Sequence, residues 1–166
     1  MANYDFKKDI IEGEEGEQVV RKDLELEGAK YLGDNKNNQY DIAMLMPNGK
    51  EVKLEIKTDV WCIPPKVVQM PFGPMTVSDD SGNMFIEFEC RGKPSGIIVS
   101  KADLFITYFK HFKEIWYIQT SKLLNLIASE NFPTTEQSGD ENSNTKGYLI
   151  PREDYKDHFK IRKINE

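Results

Sequence analysis

Between Tyr40 and Asp59 the chain reads YDIAMLMPNGKEVKLEIKTD, and the alternation in this stretch admits few structures. Ile42, Met44 and Met46 fall on one side of a first strand, and Val52, Leu54 and Ile56 on one side of a second. Two such rows, joined through proline, asparagine and glycine, must meet in a hairpin. A two-residue loop at Asn48 and Gly49 would pair Asp41 with Ile56 and set apolar residues against charged ones. A three-residue loop, Pro47-Asn48-Gly49, pairs Met44 with Val52, Ile42 with Leu54 and Asp41 with Glu55. It suits a type I turn with Pro47 at the second position and Gly49 left-handed at the bulge. The three-residue turn is therefore the predicted one.

Its consequence is chemical. One face of the ribbon is apolar; the other carries Asp41 beside Glu55, with Lys57 one step further along. Side chains directly opposed in an antiparallel pair have Cβ atoms about 4.5–5.5 Å apart. Two carboxylates that close repel unless a cation lies between them. A hard divalent ion answers the problem, and magnesium typically takes one or two carboxylates, waters and a phosphate. The spacing acid-any-lysine is uninformative by itself, since it also occurs at Asp5/Lys7, Asp34/Lys36, Glu51/Lys53 and Asp154/Lys156. Glu55 is singled out by its partner across the hairpin. Glu51 lies four residues back, roughly 13 Å at strand rise, too far to share an ion with Asp41.

Asp41, then Glu55-Ile56-Lys57 on an apolar strand, preceded by a helix containing Glu17, resembles the PD-(D/E)XK nuclease superfamily. The stretch MFIEFECRGKPSGIIVSK, Met84 to Lys101, looks like small phage-type members of that group. The resemblance spans about residues 10–127 and departs from the motif in one place, where Tyr40 stands before the first Asp instead of proline. It implies a restriction-endonuclease-like α/β fold, a mixed central β-sheet flanked by α-helices. It also implies a site of Glu17, Asp41, Glu55 and Lys57. Asp41, Glu55, the Ile56 carbonyl and Glu17 would hold Mg2+, with Mn2+ as a substitute.

Composition sets the outer bounds. With 166 residues, 39% of them hydrophobic, a single domain with a real core is expected. Net charge is −6, an argument against a protein that coats nucleic acid electrostatically, although acidic sites can lower the total while a basic surface persists. Cys62 and Cys90 form neither a metal knuckle nor a disulfide framework, so a reducing compartment is expected. No apolar run has the length of a membrane span, and MANYDFKKD lacks the apolar core of a signal peptide. The expected location is the cytoplasm, or a host's cytoplasm for a phage protein.

In chain order, residues 1–12 read as a polar arm or a first short helix. Glu14 to Glu27 reads as a helix closed by Gly28, with Glu17, Val20 and Leu24 on one stripe. Glu14, one turn earlier, rivals Glu17, and Gly13 and Gly16 leave the helix start narrow enough for close approach. A short strand lies around Tyr31 and Leu32. Residues 59–83 hold Pro64, Pro65, Pro71 and Pro74, too many prolines for a central strand, and read as an inserted loop. Met84 to Glu89 alternates as a strand with Phe85, Glu87 and Glu89 on one face. Arg91, Lys93, Ser100 and Lys101 follow in the most basic part of the chain and are the candidate DNA contacts, with an ordinary solvated loop as the other reading.

Leu104 to Phe109 and Ile115 to Ile118, apolar on both faces, read as buried central strands. Ser121 is expected to cap a helix with Leu123, Leu124, Leu126 and Ile127. Residues 129–146, SENFPTTEQSGDENSNTK, have almost nothing to bury and read as a mobile acidic loop. Tyr148 to Ile150 is a last short strand, and Arg152 to Glu166 a charged helix or tail.

The expected reaction is hydrolysis of DNA phosphodiester bonds by an endonuclease of repair, recombination or phage DNA processing. A non-catalytic DNA- or protein-binding member of the same fold is the alternative, and a salt-bridged strand face in solvent is the reading without function. Junction resolution would require a homodimer, with residues 59–83 as its interface.

Overall fold

The computed structural model describes residues 6–35, 37, 39–138 and 144–165. Helix α1 (Phe6–Leu26) leads into three strands, β1 (Lys30–Asp34), β2 (Ile42–Leu45) and β3 (Glu51–Asp59). A detached hairpin follows, β4 (Lys66–Met70) and β5 (Gly73–Val77), then β6 (Asn83–Cys90), the two-residue β7 (Lys93–Pro94) and a 3-10 turn at Gly96–Ile98. The chain continues through β8 (Leu104–Phe109), β9 (Glu114–Gln119), α2 (Thr120–Ser129), β10 (Thr134–Ser138), β11 (Asn144–Pro151), α3 (Arg152–Tyr155) and β12 (Lys160–Lys163). No described helix is long and apolar enough to cross a membrane.

The main sheet has the order β1-β2-β3-β8-β9-β12. Its only parallel pair, β3 with β8, lies at the centre, and the other pairs are antiparallel. The mixed α/β class expected from the sequence is therefore the one found. Both faces of this sheet are buried, which is why β8 and β9 read as unbroken apolar runs. On one face Val20 and Leu24 of α1 pack against Ile42, Met44, Leu54, Ile56, Ile106 and Ile115. On the other, Phe105, Trp116 and Ile118 pack with Leu123 and Leu126 of α2 and with Met84, Ile86 and Ile150.

Those last three residues belong to a second sheet, β10-β11-β6-β7, which the sequence did not announce. The expected flanking by helices holds, with α1 on one face and α2 on the other, and the second sheet packs beside α2. Residues 129–146, expected as an acidic loop, hold β10 and the start of β11 at their described positions, while 139–143 lie outside the described residues. The polar composition misled because the buried part of this hairpin is small. Phe132 anchors its start in the core, and the backbone ladder from Thr134↔Tyr148 to Ser138↔Asn144 needs no apolar side chains.

Other boundaries also moved. Among the described residues α1 already runs from Phe6, so residues 6–12 belong to the same helix as Glu14, and the Lys8–Glu12 ion pair spans its early turns. Ser121 is not a cap: α2 starts at Thr120, the capping position is Gln119, and no side chain bonds there. The C-terminal tail ends in β12, whose Arg162 bonds to Asp23 of α1 at 3.1 Å and also to Glu27. Asp23 in turn accepts from the buried Tyr117 hydroxyl at 2.7 Å. Residues 59–83 form a hairpin arm instead of an irregular loop, and β4 and β5 pair with nothing but each other.

Helix α1 crosses β3 closely because Gly16 has no side chain. A Cβ there would stand 1.8 Å from Oγ1 and 3.1 Å from Cβ of Thr58, whereas one at Gly13 would meet nothing within 4 Å. The close approach expected of both glycines is real for Gly16 alone. Alanine favours a helix over glycine by about 1 kcal/mol, and forcing an extra methyl into a packed contact costs about 1–3 kcal/mol. Gly13→Ala should therefore stabilise the fold by about 0.5–1 kcal/mol in urea unfolding. Gly16→Ala should destabilise it by about 1–2 kcal/mol, in part reversed by adding Thr58→Ala.

Candidate functional site

The hairpin adopts the three-residue turn. Met46 N donates to Lys50 O at 2.9 Å, Gly49 N donates to Met46 O at 2.9 Å, and Gly49 has φ of 81°. The register is Ile42↔Leu54 and Met44↔Val52. It places Asp41 beside Glu55, on the sheet face opposite α1. Strand β2 ends at Ile42, and the chain beyond its N-terminal end is held by two bonds. Asp41 N donates to Leu54 O at 2.8 Å, and Asp41 Oδ2 accepts from Ile56 N at 2.6 Å. The carboxylate takes the place of a strand partner. In an extended strand the N–H and C=O of one residue point the same way, so the Ile56 carbonyl faces the edge where Asp41 lies.

Glu55 is 8% exposed, an uncommon burial for an acid. Its Oε1 meets Lys57 Nζ at 2.8 Å, and its Oε2 accepts a long bond from Ser100 Oγ at 3.5 Å. Parallel pairing of β3 with β8 sets Glu55 level with Phe105 and Lys57 level with Thr107. The sheet holds both side chains from behind. Protein around Lys57 lowers its pKa, but the opposing charge and hydrogen bond of Glu55, then Asp41 and Glu87, outweigh this and hold it above the usual lysine range. The ammonium thus keeps its charge beside Glu55.

Glu17 looks toward the same place from α1. Burial raises its pKa most, followed by the charges of Asp41, Asp34 and Glu14, with Lys57 opposing, and the result is about 7. Burial also raises Asp41, followed by the charge of Glu55, against the Ile56 N–H and Lys57. Acids with raised pKa values beside one another hold more negative charge than the protein compensates. Of the two carboxylate oxygens of Asp41, Oδ2 accepts the Ile56 N–H. Hard oxygen donors with surplus negative charge suit a divalent ion such as Mg2+, and Asp41, Glu55 and the Ile56 carbonyl are donors of that kind. Among the described residues no group of three or more His, Cys, Asp or Glu side chains is placed to hold a metal ion, so Glu17, Asp41 and Glu55 do not converge as three ligands here, and water and substrate would supply the remaining positions.

The structure also brings in residues the motif did not. Asp34, at the end of β1, pairs with Ile42 next to Asp41 and acts on Glu17. Its signal was the short polar connection GDNKNN, which had to return the chain to Asp41. Glu87 of β6 acts on Lys57 from the second sheet. The alternation of Phe85, Glu87 and Glu89 was legible, but the packing of sheet on sheet was not.

The candidate DNA contacts divide. Ser100 turns to Glu55 and accepts from Ala102 N at 3.2 Å. Lys101 is exposed, and its N–H donates to Gln39 O at 2.7 Å, which ties this segment to the chain entering Asp41. Arg91, with φ of 54°, and Lys93 stand exposed at the turn between β6 and β7.

No protein-family model and no curated protein matches the chain. Among solved structures, the bacterial homing endonuclease I-Ssp6803I resembles it with a TM-score of 0.44 and 10% identity, over 69% of this chain and 71% of that one. Likeness at this level assigns no role to any residue here.

The raised pKa of Glu17 has a consequence for stability. The folded state binds this proton more tightly than the unfolded state, in which the ordinary value is 4.5. Without metal, its contribution is therefore fully favourable below about pH 4.5 and is lost as pH rises through about 7. Glu17→Gln, measured in chelator, should leave the thermal midpoint near the parent's at pH 4 and raise it above the parent's at pH 8, within about 2–8 °C.

Proposed function

We propose that this chain is a metal-dependent deoxyribonuclease of the PD-(D/E)XK type, an endonuclease that hydrolyses DNA phosphodiester bonds with Mg2+ and accepts Mn2+. The carrying observation is the juxtaposition of Asp41 and Glu55 across one hairpin, with the Lys57 ammonium 2.8 Å from Glu55. Asp41 and Glu55 would hold the ion with the Ile56 carbonyl, and Glu17 would complete the site by holding an ordered water or a second ion. Once bound, the ion supplies Lewis-acid polarisation of the phosphodiester and a more acidic bound water.

The chain's own groups do the rest. Glu55 fixes Lys57, and Lys57 orients the attacking water and stabilises charge gathering on the phosphate oxygens. Its raised pKa favours this electrostatic role over proton abstraction. Glu17, with a pKa of about 7, can take up and release a proton near neutral pH, so ion binding competes with protonation there. Arg91, Lys93, Ser100 and Lys101 lie on the segment leading from β6 back to the site, where the exposed cations can set a duplex by its phosphates. The assignment to repair, recombination or phage DNA processing belongs to this proposal and follows from the substrate class alone.

Purified protein with Mg2+ or Mn2+ should nick or cut DNA, and chelator should stop it. Lys57→Ala should lower the rate about 100-fold or more with the circular dichroism spectrum intact, as loss of one transition-state donor does. Cutting retained in that variant would remove the assignment. Binding of linear, branched and single-stranded DNA with no cutting of any would favour a non-catalytic member of the fold.

A further inference from the structure

Asp41 and Glu55 are held in different ways. Asp41 is fastened by backbone, its Oδ2 accepting from Ile56 N at 2.6 Å. Glu55 has a longer side chain, and its Oε1 meets Lys57 Nζ at 2.8 Å. Lys57 is a poor anchor, because its ammonium ends a flexible four-carbon stem. The other oxygen, Oε2, faces Ser100 Oγ at 3.5 Å. Ser100 Oγ also accepts from Ala102 N at 3.2 Å, which occupies one lone pair and leaves the hydroxyl proton for the carboxylate. The bond to Oε2 is longer than the about 2.5–3.0 Å usual for a hydroxyl donor, and site bonds of this kind tighten when the reacting complex forms.

The segment that carries Ser100 is itself fastened on both sides of the site. Ser95 N donates to Phe88 O at 2.9 Å, and a Cβ at Gly96, where φ is 53°, would stand 2.2 Å from Glu87 O, so the segment lies directly against β6. Ile97 is 1% exposed, in the core shared by the two sheets. Ser100 N then donates to Gly96 O at 3.1 Å, and Lys101 N to Gln39 O at 2.7 Å. Asp103 closes the run on β3: its N–H donates to Lys53 O at 2.8 Å, and its Oδ2 accepts from Lys53 N at 2.9 Å. Ser100 therefore sits on backbone bonded to the second sheet, to the chain entering Asp41 and to the strand of Glu55. A short side chain on such a base is a stiff support for a carboxylate.

We infer that Ser100 is a positioning residue: by donating to Oε2 it holds the Glu55 carboxylate in the orientation from which Glu55 and Asp41 serve one cation. This deepens the metal-dependent reading proposed above and rests on it. Charge separates the role from the phosphate contact that the sequence suggested. A phosphate brought to Ser100 Oγ would stand against the Glu55 carboxylate, and like charges that close repel. The exposed cations Arg91, Lys93 and Lys101 are free of that conflict.

The test is binding of Mn2+ to the full chain without DNA, followed by the paramagnetic resonance signal of the free ion. The parent should bind, and Asp41→Asn should abolish binding. Ser100→Ala should raise the Mn2+ dissociation constant about 10–100-fold, as loss of a hydrogen-bond partner to a ligating group does. Ser100→Thr, which keeps the hydroxyl, should stay within about threefold of the parent. A serine with a merely structural role would shift urea unfolding and leave Mn2+ affinity alone. Ser100→Ala that binds Mn2+ as the parent does overturns this inference and leaves the nuclease reading standing, and so does an equal loss in Ser100→Thr. Unchanged Mn2+ affinity with weakened DNA binding in chelator would make Ser100 a DNA contact instead. A parent that binds no Mn2+ removes the metal-dependent reading and this inference together.

Discussion

The bond from Ile56 N to Asp41 Oδ2, 2.6 Å long, carries more of this structure than its size suggests. A strand normally satisfies its neighbour with backbone carbonyls, and here β2 stops one residue early and a side chain finishes the ladder. That exchange fixes the carboxylate in the plane of the sheet and turns the Ile56 carbonyl to the same edge. It also keeps Asp41 beside Glu55 despite their repulsion. Holding two acids together is unfavourable in itself, which is why burial and Glu55 drive the Asp41 pKa upward while the Ile56 N–H pulls it back. Rigid backbone pairing on either side of β3 supplies the constraint that the charges alone would undo.

The two faces of the main sheet divide the work. Helix α1 seals one face with Val20 and Leu24, and the absence of a side chain at Gly16 lets it sit down on Thr58. That close seating brings Glu17 within range of Asp41. The other face belongs to aromatic packing and the second sheet, and it is from this side that Glu55, Lys57, Ser100 and Glu87 approach one another. The site is thus a rim between two cores.

Much of this was legible in local pattern. The hairpin register followed from keeping Met44 on Val52 and Ile42 on Leu54, since any slip would have turned charged side chains into the core. The helix stripe and the unbroken apolar runs of β8 and β9 were equally plain. What local pattern could not show was partnership at a distance. The stretch TTEQS looks like solvent-facing loop because it is a surface strand whose order comes from the backbone of β11. Asp34 and Glu87 reach the site through folding of the whole chain, and Ser121 had the chemistry of a cap but stood two residues inside the true boundary.

The order of the strands also bears on how the molecule assembles. Turn Pro47-Asn48-Gly49 closes a very short loop, so β2 and β3 can find each other early and with little entropic loss. Their parallel neighbour β8 arrives only after the intervening arm and second-sheet strand have been accommodated, and β12 must return from the far end of the chain to grip α1 through Arg162. Asp41 and Glu55 can therefore meet in a chain that is mostly unfolded, while the surroundings that bury them come last. The growing polypeptide carries the acids long before it carries the strands that bury them.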